Sequence, residues 1–141
     1  MIVVAIAKYL MGLSLVVYDE TLPTADCFIS NLPPSPDNAV MLRTIPGRKP
    51  EVKFGFDYPS LQAWVRDAIY RTGEERANDI YAALQSLRTI DLDFGGPDAV
   101  RLLDCQAVTS GPAYLNMDEN NRHEWSLNFD LSITNPTIHR R

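Results

Sequence analysis

Between His123 and Thr134 every second residue belongs to one series, His123, Trp125, Leu127, Phe129, Leu131 and Ile133. The residues between them are Glu124, Ser126, Asn128, Asp130, Ser132 and Thr134, all polar. A side-chain period of two suits a β-strand with one face buried; a helix would scatter the same apolar groups around its axis. At about 3.3 Å per residue this strand spans roughly 40 Å, against a usual strand of about 5–6 residues. The rest of the chain must cover the long apolar face and supply partners along both edges.

One cover is plain. Ala77, Ile80, Tyr81, Leu84 and Leu87 recur at helical spacing, while Glu74, Arg76, Asn78, Asp79, Gln85 and Arg88 fall mostly outward, which predicts a helix over 74–88. Thr72 and Glu75 have the spacing of a capping box at its start. A second helix is expected near the N-terminus, where Val3, Ile6, Ala7, Leu10 and Met11 form a stripe and Gly12 offers an end. Residues 1–13 have no basic stretch before the apolar run, no small-residue cleavage site after it, and too few residues for the ~20 of a membrane span, so the expectation is a docked helix.

Strands are expected at 14–18, at 39–45 with Pro46–Gly47 as the stopping turn, at 61–70 and at 99–108. Residues 19–38 hold Pro23, Pro33, Pro34 and Pro36, which exclude a long regular element, although Cys27, Phe28 and Ile29 suggest a packed loop or short edge strand. A short strand is also a candidate at 52–56. Within 61–70, Leu61, Ala63 and Val65 share one face and Gln62, Trp64 and Arg66 the other. Gly95–Gly96–Pro97 marks 90–98 as a loop. Leu102, Leu103 and Asp104 break the alternation of their strand, which a bulge would explain. Ser110–Gly111–Pro112 and residues 118–122 read as turns, and residues 135–141 as a tail ending His139–Arg140–Arg141. The fold class is α+β: a single domain over 1–141, a mostly antiparallel sheet packed by an N-terminal and a central helix. A chain of 141 residues builds such a core without metal or disulfide staples.

Chemistry is poorly represented. The net charge of −5, from 18 acidic against 13 basic residues, excludes nucleic-acid binding through a basic surface. Gly95–Gly96 lacks the spacing and following lysine of a phosphate loop, and Gly73 stands alone before a helix. Cys27 and Cys105, His123 and His139 are in no zinc-type pattern. No serine lies in a nucleophile elbow. No cofactor is expected. Asp91, Asp93 and Asp98 could ligate a hard cation, the alternative that would make this a small metal-dependent enzyme, but acidic loops are more often solvated surface.

The unusual features are at the surface: Trp64 on a polar strand face, stiff proline-rich loops and one overlong strand. Either Trp64 packs under the N-terminal helix or a partner covers it. Several segments taken together resemble the tail terminator family of long-tailed bacteriophages, often labelled minor capsid or tail completion proteins. They are the N-terminal helix into Gly12–Leu13, Phe28-Ile29-Ser30-Asn31-Leu32-Pro33, Ser35-Pro36-Asp37-Asn38-Ala39-Val40, and Tyr58-Pro59-Ser60-Leu61-Gln62-Ala63-Trp64-Val65-Arg66. The helix with Ala77-Asn78-Asp79-Ile80-Tyr81 and residues 118–129, with Arg122, Asn128 and Phe129, complete the series. Asp67 stands where the family commonly has a glycine soon after that arginine.

The resemblance implies a structural virion protein of the tail and neck, made in the host bacterial cytoplasm. It implies a homohexameric ring that caps the tail tube, stops its polymerisation and meets the head-side connector or stopper protein. DNA would pass through the bore without specific binding, no membrane would be involved, and no residue would be catalytic. A head-completion or stopper role in the same neck is the alternative within assembly proteins. Residues expected at the subunit interface are Trp64, Arg66, Pro33, Pro36, Asp37 and Ser132.

Overall fold

The computed structural model describes residues 2–19, 21, 24–51, 56–85 and 87–134. Helix α1 (Ile2–Gly12) is followed by β1 (Cys27–Ile29), β2 (Ala39–Glu51), β3 (Phe56–Asp67), α2 (Tyr70–Leu84), β4 (Arg88–Leu92), β5 (Val100–Ala107), β6 (Ala113–Met117) and β7 (His123–Thr134). The strands make one seven-stranded sheet in the order β1-β2-β3-β7-β5-β4, with β6 also on β7. Only β1 and β2 pair in parallel. The α+β class and the mostly antiparallel sheet expected from the sequence are what the chain forms.

The long C-terminal strand is the centre of this sheet. Along one edge it pairs with β3, from Asp67↔His123 to Phe56↔Thr134. Along the other edge β5 and then β6 lie end to end, from Arg101↔Thr134 through Ala107↔Phe129 to Met117↔His123. Trp125, Leu127, Phe129, Leu131 and Ile133 are buried with Leu61, Ala63, Val65, Leu102 and Cys105. Both helices cover that face. Val3, Ile6, Ala7 and Leu10 from α1 and Ala77, Ile80 and Leu84 from α2 belong to the same core cluster, and Tyr81 and Leu87 pack at its margin. Met11, placed on the stripe by spacing, is instead 41% exposed at the helix end.

Several elements depart from the sequence expectation. Residues 14–18 are no strand: Leu13, Ser14 and Leu15 send their N–H groups back to α1 carbonyls, with Ser14 at φ 62, which turns the chain away. Strand β2 runs through Pro46–Gly47 to Glu51 with two register shifts. The prolines are tolerated because β1 covers only Val40–Leu42, leaving the later part of β2 an edge where no N–H is needed. Of the candidate strand at 52–56, residues 52–55 lie outside the described residues, as do 135–141, and Phe56 opens β3.

The central helix occupies Tyr70–Leu84, not 74–88, and Thr72 and Glu75 are inside it, so they form no capping box. Asp67 ends β3 earlier than residue 70 by accepting the Ile69 N–H on its carboxylate at 2.8 Å. Gly73 then begins the helical bonding to Ile69 O at 3.0 Å, while Leu87 returns its N–H to Leu84 O past the helix end. The expected loop at 90–98 opens with a strand, β4. Ile90 and Leu92 align with Leu102 and Val100 of β5, and Asp91 bonds Arg101 across the pair. The bulge expected in β5 is present as a register shift between Leu102 and Asp104. Strand β6 had no counterpart in the sequence reading; its five residues are all exposed, so no burial pattern marks them.

Candidate functional site

Because both helices lie on one side, the other face of the sheet is bare. Strand registers set its side chains in rows: Phe28, Met41, Trp64 and Ser126 in one, Arg43, Gln62 and Asn128 in the next, then Ile45, Ser60 and Asp130. Trp64 is half-buried in this face and not under α1. Its indole N–H donates to Glu124 Oε2 at 2.6 Å, so the polar handle is satisfied and the ring is fixed. Met41 beside it is buried and Phe28 half-buried, which makes an apolar band across three strands. Further along, Ser132 is half-buried at a polar cavity of about 350 Å³ lined also by Tyr58, Ser60, Asp104, Gln106 and Asp130.

At the end of the band lies the proline loop of residues 31–38, held by two arginines. Arg66, only 3% exposed, donates to the carbonyls of Pro33 at 2.7 Å, Pro36 at 2.6 Å and Asp37 at 3.2 Å. Arg122, 6% exposed, donates to the Pro34 carbonyl and, at 2.8 Å, to the Asp118 carboxylate. Prolines keep their carbonyls while lacking N–H groups, so this loop is rich in acceptors that only side-chain donors can serve. Two planar guanidinium groups are suited to serve several at once. The Ser35–Pro36 bond is cis. Burial, and next the neighbouring Arg122 charge, lower the Arg66 pKa; Asp118, Glu124 and Asp37 work in the opposite direction. Burial tends to raise the Asp118 carboxyl, but the backbone N–H groups of Arg122 and Asn120 and the Arg122 guanidinium outweigh it and hold it below its ordinary value.

Of the six residues the sequence singled out, Trp64, Arg66, Pro33, Pro36 and Asp37 are thus gathered at one end of the bare face. Ser132 lies apart, toward the far end of β7. Pro36 and Asp37 are exposed and Pro33 half-buried, whereas Arg66 faces inward to its own loop. Sequence reasoning missed Arg122 as the second clamp and Glu124 as the partner of Trp64.

The carboxylates considered for a cation have other partners. Asp91 takes the Arg101 guanidinium at 2.9 Å, which lowers its pKa, and Asp93 and Asp98 share the Lys8 ammonium at 3.1 and 3.4 Å. Asp93 and Asp98 are therefore partly buried and paired, not simply solvated. Among the described residues no cluster of three or more His, Cys, Asp or Glu is gathered as a metal centre. Burial pushes both Cys27 and Cys105 up to about 12, far from the thiolate form a nucleophile needs. Among the described residues no helix is long and apolar enough to cross a membrane.

Comparisons with known proteins agree with this picture. No curated protein matches the chain. Among solved structures, a chain of the virion of a native gene transfer agent particle shares the fold at 15% identity. The match covers 94% of this chain and 93% of that one, with a TM-score of 0.57. A family model described as bacteriophage tail terminator protein matches residues 9–135, nearly the whole described fold. The chain belongs to the bacteriophage tail terminator family and is a structural tail protein.

Proposed function

We propose that this protein, as a single tail-terminator-like domain, assembles into a homohexameric ring on the end of the finished tail tube. There it stops polymerisation and presents its second surface to the head-side connector. DNA passes through the bore without specific contacts, in keeping with an acidic chain whose multiplied charge repels it. The observation that carries this reading is the bare sheet face with its Phe28–Met41–Trp64 band beside a loop already fixed by Arg66 and Arg122. A rigid contact surface loses little entropy on assembly. Trp64, Pro33, Pro36, Asp37 and Ser132 contribute contacts, and Arg66 contributes by holding the loop in place.

Negative-stain imaging of the purified protein, paired with complementation of a terminator-defective phage, tests the proposal. Six-membered rings and tails of uniform length are expected. Trp64→Ala should leave a folded monomer and tails of irregular length, since buried tryptophans dominate interface energies. A Trp64→Ala protein that still elutes as a hexamer and restores normal tails would remove the bare face from the assembly.

A further inference from the structure

The last residue of β7, Thr134, has Phe56 of β3 on one side and Arg101 of β5 on the other. A chain continuing past it meets no free edge of its own strand to pair with. On the helix side Ile133 belongs to the core cluster with Val3 and Ile6 of α1. The bare face is what remains open there, and on it lies the polar cavity of about 350 Å³, with Ser60, Asp104, Gln106, Asp130 and Ser132 in its walls.

This cavity is acidic and short of cations. Exposed Asp130 accepts the Ser60 hydroxyl at 3.2 Å and has no ion pair among the described residues. Asp104 has Arg88 at 3.6 Å, a long contact between two well-exposed side chains. No basic residue lines the cavity. Two other arginines of the sheet are engaged elsewhere: Arg43 donates to Gln62 at 2.6 Å and Arg101 to Asp91 at 2.9 Å.

Residues 135–141 follow Thr134 and lie outside the described residues. They carry His139, Arg140 and Arg141 and no acidic side chain, and from residue 136 on they are beyond the stretch that matches the family. Asn135–Pro136 is a turn-forming pair. A reversal there leaves residues 137–141, roughly 16 Å when extended, to run back over Asp130, which stands about 13 Å before Thr134 at the rise of a strand.

We propose that residues 135–141 double back over the bare face of their own copy and set Arg140 and Arg141 against Asp130 and Asp104. The contact is internal to one copy and does not depend on the ring; a subunit contact at Ser132 then includes this tail. Disulfide trapping in an Asp130→Cys, Arg140→Cys protein tests it, because the native thiols are buried and will not compete. The pair should link about tenfold faster than a control joining Arg140→Cys to Tyr114→Cys on exposed β6, since a held pair has the higher effective concentration. At about 1 M salt, where such charges are screened, that advantage should disappear. Isotope-labelled and unlabelled protein mixed before oxidation should yield linked peptides from single chains only. Linked peptides that mix the two labels would show the tail crossing to a neighbour and overturn the proposal. A rate equal to the control's, or one unchanged by salt, would overturn it as well.

Discussion

Arg66 and Arg122 decide how the proline loop sits, and each does so through carbonyl oxygens of residues about 30 to 90 positions away. Arg66→Met keeps the stem of the side chain and leaves three carbonyls without their donor. Because Pro36 and Asp37 are exposed and water can reach part of the loop, the loss expected from urea unfolding is about 1–3 kcal/mol in total, with faster proteolysis at residues 33–37. The Asp118 carboxylate has a pH signature. Its folded pKa lies below the ordinary 3.8, so its contribution is complete above that value and is lost as pH falls through the folded pKa. The stability difference between the parent and Asp118→Asn should therefore be constant from pH 7 to about 5 and shrink below 3.8. The side of the sheet on which Trp64 stands was legible from alternation alone. That Arg66 faces its own loop was not, because the groups it binds are backbone oxygens, which carry no residue identity.

Elements with one buried face and one wet face were legible, and those without were not. Strand β7 announced its bounds because its apolar face is wholly buried, and Phe129→Ala, at a site with 0% exposure, should cost about 3–5 kcal/mol in urea or thermal unfolding. Strand β6 is exposed at every position, and β4 is short beside a glycine-rich turn, so neither leaves a pattern to read. The start of α2 was misplaced by a turn because the signal came from Asp67, inside the strand before it, and not from the Thr72–Glu75 pair. Gly73 in that first turn sits against the Trp125 ring, where an added Cβ would collide. Alanine ordinarily stabilises a helix over glycine by up to about 1 kcal/mol. Here Gly73→Ala should instead lower the Tm, since overpacking costs roughly 1–3 kcal/mol; a raised Tm would show that the indole yields easily.

At the scale of the molecule, the central strand of the sheet is also the last element among the described residues. Before β7 is made, β3 has only β2 beside it, β5 and β6 have lost their shared partner, and the core lacks Trp125, Leu127, Phe129, Leu131 and Ile133. On the ribosome the protein is therefore a set of unpaired strand edges, a state prone to association. Its sheet closes only after synthesis reaches Thr134. The pairing of β3 with β7 joins residues as far apart as Phe56 and Thr134, which makes folding slow by topology. A chain stopped at residue 122 should accumulate as insoluble material bound by chaperones. Every strand that pairs with β7 is made before it, so each copy waits for this one strand before it has a finished surface to offer any partner.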